Sequence, residues 1–151
     1  MSASNIDDPL RSALFTVCET KEDLRDWFRC YLDLYFPDAT VDDGSNSNPI
    51  DLAWTVYNAF RCRKFNLPEK VDYAELREIM AYASRDSYKT LLAASLEVVV
   101  LMHLSLSVCH MAAIQRQSAK AQEYVKNAFD APYLKDFVTV RNETRIEVTR
   151  Y

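Results

Sequence analysis

Glycine is nearly absent from this chain of 151 residues, since Gly44 is its only one. Glycine supplies the positive backbone φ angles that tight turns require. A fold of many strands joined by tight turns is therefore disfavoured, and helices joined by loops with few such positions are favoured. The length suits one domain with a real hydrophobic core, and the hydrophobic share of 49% is ordinary for a soluble globular protein.

An excess of positive charge is also missing. The formal net charge is −4, so no overall basic field attracts nucleic acid, and contact with DNA would need a local patch or other parts of an assembly. The cysteines form no C-x-x-C motif, and no histidine pair has zinc spacing. We therefore expect no metal site at the cysteines. Cys30 and Cys109 stand in apolar sequence surroundings, which predicts buried thiols, and the pattern suits a reducing cytoplasm.

Neither a targeting segment nor a membrane span is recognisable. Residues 1–8 are polar and acidic, whereas a leader is basic and then apolar. The longest apolar stretch, residues 91–106, is too short and too polar to cross a bilayer. Its interruptions are Ser95, Glu97, His103 and Ser105. We expect no membrane partner.

The first half of the sequence predicts helices. Thr20 has the character of a helix cap, with Asp23 in the first turn, and apolar residues then recur at helical spacing until Pro37. These residues are Leu24, Trp27, Phe28, Tyr31, Leu34 and Tyr35. Asn48 followed by Pro49 predicts the start of a second helix.

From residue 76 onwards the pattern changes to an alternation of strands and helices. Strands are predicted at residues 76–82 and 106–112, helices at 89–103 and 115–129, and a hairpin-like end at 137–140 and 145–149. This order predicts a parallel sheet with right-handed crossovers. The sequence thus divides into a helical lead, residues 1–75, and an α/β core, residues 76–151.

The segment between the first predicted strand and its helix has the length and ending of a phosphate-binding loop. Residues 83–90 read Ala-Ser-Arg-Asp-Ser-Tyr-Lys-Thr, against the pattern G-x-x-x-x-G-K-[ST]. Ala83 and Tyr88 stand at the two glycine positions, and Arg85 would add positive charge inside the loop. The other interpretation is a polar strand-to-helix turn, with a serine or aspartate capping the helix.

Four features together resemble the N-terminal part of the large subunit of tailed-phage terminases, the ATPase that packages DNA into proheads. They are the helix entry at residues 48–54, the loop at residues 83–90, the long apolar helix after it, and residues 110–119, His-Met-Ala-Ala-Ile-Gln-Arg-Gln-Ser-Ala. The resemblance implies a three-layer sandwich like that of P-loop NTPases, with a parallel sheet behind a helical lead.

The resemblance also implies a role for each loop residue. Lys89 would bind the β- and γ-phosphates of ATP, Thr90 would hold Mg²⁺, and Arg85 would approach the γ-phosphate, so that Lys89 and Arg85 are the catalytic candidates. The ATP-binding set it implies is Ala83, Ser84, Arg85, Asp86, Ser87, Tyr88, Lys89 and Thr90. The implied partners are double-stranded DNA, the portal protein, the small terminase subunit and further copies in a ring, in the host cytoplasm.

A packaging ATPase also needs an apolar strand that ends in Asp-Glu, for Mg²⁺ and for activating water. No such segment follows Phe129: Asp136 precedes an apolar run, and Glu143 and Glu147 lie in the hairpin-like end. There is also no room for a nuclease domain. We therefore expect an incomplete ATPase domain, an N-terminal fragment or natural truncation, with negligible hydrolysis.

Two other functions stay open on the sequence. The first is a non-enzymatic α/β protein-interaction module without a nucleotide site, which the missing glycines and the missing acidic pair favour. The second is a stand-alone DNA-binding protein, which the acidic balance disfavours.

Overall fold

The computed structural model describes residues 9–37, 48–68, 88–109, 111, 115–142 and 145–149. These residues form five α-helices, a 3₁₀ turn and one hairpin. The helices are α1 (Pro9–Ala13), α2 (Lys21–Leu32), α3 (Pro49–Phe65), α4 (Lys89–Leu104) and α5 (Gln115–Ala128). The 3₁₀ turn at Lys135–Phe137 leads into strand β1 (Val138–Arg141), which pairs with β2 (Ile146–Val148).

The expected three-layer sandwich with a parallel sheet is wrong. Across the residues that the structure describes, the only sheet is the antiparallel pair β1–β2, and most of the remainder is helical. Residues 106–109 and Met111, which belong to the expected second strand, are not in a strand. Ser107, Val108 and Cys109 are exposed, whereas a strand inside a parallel sheet is buried on both faces. The expected first strand, residues 76–82, lies outside the described residues.

Helix α4 runs through the hydrophobic core because apolar residues occupy most of its surface, while Glu97 and Leu101 lie on a half-buried side. A helix that is apolar over most of its surface must be covered on most sides, and α3 and α5 both pack against it. Its buried apolar residues are Leu92, Ala94, Leu96, Val98, Val99, Val100, Met102 and Leu104. The predicted helix at 89–103 is confirmed, but other helices cover it where we expected a sheet.

Helices α2 and α3 begin where the sequence predicts. The Thr20 hydroxyl accepts a hydrogen bond from the Asp23 amide at 3.1 Å, and the Asp23 carboxylate accepts one from the Thr20 amide at 2.8 Å, which is a capping box. The Asn48 side chain accepts from the Ile50 amide at 2.9 Å and caps α3. Helix α2 ends earlier than the expected stop at Pro37, because Asp33 takes a left-handed conformation with φ 52°.

The predicted apolar stripe of α2 is confirmed for the four residues that lie within the helix. Their side chains are buried: Leu24, Trp27, Phe28 and Tyr31. Beyond the end of the helix the spacing no longer decides burial, and Tyr35 is 71% exposed.

The predicted hairpin-like end is confirmed. Val140 pairs with Glu147 and Arg141 with Ile146, and the register is irregular between Val138 and Val140. The Arg141 guanidinium binds both carboxylate oxygens of Asp130 just after α5. That bond lowers the pKa of Asp130, and it ties β1 to the end of α5.

The capping box of α2 provides a test of this fold. Thr20→Ala removes the hydroxyl that satisfies the Asp23 amide, so we expect the free energy of unfolding to fall by about 1 kcal/mol. Urea unfolding followed by circular dichroism measures this change. Ser12→Ala, at an exposed position of α1, is the control and should change stability by less than about 0.5 kcal/mol. Equal effects of the two substitutions would contradict the assigned cap.

Candidate functional site

The start of α4 contains the part of the predicted phosphate-binding loop that the structure describes. Tyr88 directly precedes the helix, is 59% exposed, and has φ 57° and ψ 7°, in the left-handed region. A residue other than glycine is uncommon there. The motif has its second glycine at this position, so the backbone takes a glycine-like conformation although the residue is tyrosine.

Lys89 and Thr90 are the first two residues of α4, with Lys89 exposed and Thr90 half-buried. Tyr88 makes no side-chain capping bond, and the first turn of α4 contains no acidic residue. The amides and the positive dipole end of a helix favour an anion at such a position. The other predicted site residues lie outside the described residues: Ala83, Ser84, Arg85, Asp86 and Ser87.

The carboxylates that we considered as metal or water ligands are in other roles where the structure describes them. Asp136 is exposed in the 3₁₀ turn, and Glu147 in β2 forms an ion pair with Arg145. Glu143 lies outside the described residues. Among the residues that the structure does describe, no three His, Cys, Asp or Glu side chains are grouped so that they could hold a metal ion.

A second cluster of chemically active side chains is buried at the other end of α4. His103 contacts the Tyr57 hydroxyl through Nδ1 at 2.8 Å and the Leu14 carbonyl oxygen through Nε2 at 3.1 Å. The Cys18 amide donates to the Tyr57 hydroxyl at 3.1 Å. The Trp27 indole donates to the same Leu14 carbonyl at 3.1 Å. Because a carbonyl only accepts, Nε2 carries the proton of His103, and Nδ1 accepts from Tyr57.

Cys18 and His103 resemble a nucleophile and its base in composition but not in environment. The Cys18 sulfur lies 3.8 Å from His103 Nδ1, yet Cys18 is only 4% exposed. Burial raises the pKa of the Cys18 thiol to about 12, and it also raises the pKa of the Tyr57 hydroxyl. A catalytic cysteine instead has a lowered pKa and access to substrate. We therefore assign this cluster, the Cys18–Tyr57–His103 network, a structural role.

This network was not predicted from the sequence, although one signal for it was visible. His103 interrupts an otherwise apolar helix, and a buried histidine must find partners for both ring nitrogens. The partners themselves come from segments 46 and 89 residues away in the chain, which no local pattern reveals. The expectation for two other cysteines was wrong, since Cys30 and Cys109 are exposed. The buried cysteines are Cys18 and Cys62.

An open groove of about 1140 Å³ lies between the end of α4, helix α5 and β2. Its apolar lining includes Leu101, Leu106 and Val148, and charged side chains of both signs, such as Lys126 and Glu147, also line it. Of the predicted nucleotide-site residues that the structure describes, Tyr88, Lys89 and Thr90, none lines the groove. No helix among the described residues is long and apolar enough to cross a membrane.

Comparison with known proteins finds no match to a family model, to a curated protein or to a solved structure.

The central hydroxyl of the buried network can be removed by a single substitution. Tyr57→Phe leaves the Cys18 amide without its acceptor and His103 Nδ1 without its donor, so we expect a loss of about 1–3 kcal/mol in the free energy of unfolding. Urea unfolding monitored by fluorescence measures it. Tyr35→Phe removes a hydroxyl from an exposed tyrosine and should cost less than about 0.5 kcal/mol. A Tyr57→Phe protein as stable as the wild type would contradict the network.

The same network predicts a loss of stability in alkali. The pKa of Cys18 is about 12 in the folded chain against an ordinary 9.0, so the folded state keeps a proton that the unfolded state releases. The resulting stability is complete below pH 9 and is lost as the pH rises towards 12. Urea midpoints across this range should fall with a slope that is shallower in Cys18→Ala. Cys109→Ala, at an exposed site, should keep the wild-type slope, and an unchanged slope in Cys18→Ala would contradict this assignment.

Proposed function

We propose that this chain is the nucleotide-binding N-terminal portion of a viral DNA-packaging terminase ATPase. In this proposal the chain binds ATP and Mg²⁺, and the longer protein couples hydrolysis to the movement of DNA into the prohead. Its partners would be double-stranded DNA, the portal protein, the small terminase subunit and further copies in a ring. The site of action would be the host cytoplasm.

One observation carries the proposal beyond the resemblance in sequence. Tyr88 has a positive φ at the position of the motif's second glycine, and Lys89 and Thr90 follow as the first two residues of α4. In phosphate-binding loops this order places the loop amides around the phosphates, the lysine on the β- and γ-phosphates, and the hydroxyl on Mg²⁺. Two features support nucleotide binding: the start of α4 and the sequence of residues 83–90. Neither depends on a parallel sheet.

A non-enzymatic interaction module is the second candidate function. The observation that favours it is that α3 and α5 both pack against α4, where a nucleotide-binding fold would place a sheet. The sequence predicted an α/β module, whereas the described residues are mostly helical with one small hairpin.

Nucleotide binding by the purified chain separates the two candidates. We expect weak but measurable binding of ATP with Mg²⁺ in calorimetric titrations at fixed ionic strength. Lys89→Ala should weaken this binding by about tenfold or more, because a charge-assisted bond to phosphate contributes about 1.5–3 kcal/mol. Arg85→Ala should also weaken it. Lys64→Ala removes an exposed lysine at the end of α3 and should leave the affinity unchanged.

Two outcomes would contradict the proposal. One is the absence of any ATP binding, which would favour the interaction module. The other is binding that Lys89→Ala and Lys64→Ala weaken equally, which would indicate attraction by overall charge. We expect little steady ATP hydrolysis from this chain, because phosphoryl transfer also needs a positioned water and a complete metal shell.

A further inference from the structure

The outer edge of β2 carries backbone groups that the hairpin does not use. The Asn142 amide donates to the Arg145 carbonyl at 3.0 Å, so the backbone of Arg145 faces β1. The irregularity in the register lies within β1, and the backbone groups of successive residues along β2 therefore point to alternate edges. Those of Ile146 and Val148 point away from β1. Among the residues that the structure describes, no other strand pairs with this outer edge.

The open groove lies on the β2 side of the hairpin. Four residues of this side line it, whereas β1 contributes Arg141; the four are Ile146, Glu147, Val148 and Thr149. A further strand therefore has room beside β2. Amides and carbonyls that are left unpaired at a sheet edge form a template for such a strand. The outer edge of β2 is thus available for pairing with a strand of another chain.

The charged side chains of this region favour a second copy of β2 as that strand. Arg145 and Glu147 lie on one face, because side chains alternate along a strand, and their side chains are 68% and 38% exposed. In an antiparallel pair of two β2 strands with its two-fold axis at Ile146, Arg145 of each copy lies directly opposite Glu147 of the other. Opposite charges in this position stabilise a strand pair, whereas like charges destabilise it. An axis at Glu147 or at Arg145 would place two like charges opposite each other.

We propose that two copies of this chain pair through the outer edges of β2, antiparallel about Ile146, and join their hairpins into one four-stranded sheet. The two Ile146 residues exchange both backbone hydrogen bonds, because the amide and the carbonyl of each point outward. Two contacts between Arg145 and Glu147 flank this centre. A two-fold contact of this kind closes with two copies. The pairing uses neither the proposed nucleotide site nor the ring implied for the longer protein.

Charge reversal at β2 tests both the pairing and its register. Sedimentation equilibrium of the purified chain over a range of concentrations should show monomers and dimers. Arg145→Glu and Glu147→Arg should each weaken the dimer about tenfold or more, because each variant makes both flanking contacts repulsive. Lys64→Glu, at an exposed position near the end of α3, changes the net charge as Arg145→Glu does and should leave the dimer unchanged. Circular dichroism checks that every variant keeps the helical content of the wild type.

An equimolar mixture of the Arg145→Glu and Glu147→Arg proteins separates pairing between copies from the ion pair within one hairpin. In the mixed dimer both flanking contacts are attractive again, whereas the ion pair within each hairpin stays broken. The mixture should therefore dimerise at least as tightly as the wild type. A wild-type chain that stays monomeric up to its solubility limit would overturn the pairing. Charge reversals that act no more strongly than Lys64→Glu, or a mixture that associates as weakly as its components, would also overturn it.

Discussion

The largely apolar surface of α4 is the constraint on which the rest of the described structure depends. Most of this helix must be removed from water, so other elements have to pack around it. Helices α3 and α5 pack on it directly, and α2 packs on α3. The core cluster also includes Leu14 before α2, and Phe129 and Leu134 after α5. Sequence segments distant from one another therefore converge on α4.

Burying α4 also buries its one histidine, and this fixes the position of the segment just before α2. A polar side chain in a core must have its hydrogen bonds satisfied, and His103 finds one partner on α3 and one in the segment before α2. The Leu14 carbonyl accepts from both Trp27 and His103, so one backbone group joins α2 and α4. The network thus adds directional contacts to a core that apolar packing alone would hold less specifically.

The sequence predicts local structure well here and the relation between elements poorly. The starts of α2 and α3 follow from Thr20 and Asn48, because caps are local hydrogen bonds, and the hairpin follows from the alternation around residues 138–148. The parallel sheet failed for a physical reason: a buried apolar helix needs a cover, and its pattern does not say whether a sheet or other helices supply it. The predicted burial of Cys30 and Cys109 was wrong for a similar reason, because apolar neighbours in sequence do not ensure a buried side chain.

The two ends of α4 carry different features, the helix start at Lys89 and the Cys18–Tyr57–His103 network. Substitutions at one end can be tested separately from substitutions at the other. The helix has 16 residues, so its ends lie about 24 Å apart at 1.5 Å per residue. At its first residue Lys89 is exposed, and near its last residue His103 is buried in a neutral network. Substitutions at sites farther apart than about 10 Å without shared partners act independently. A change in anion binding on substitution of Lys89 therefore reports on the start of α4, and a change in stability on substitution of Tyr57 reports on the buried network at its other end.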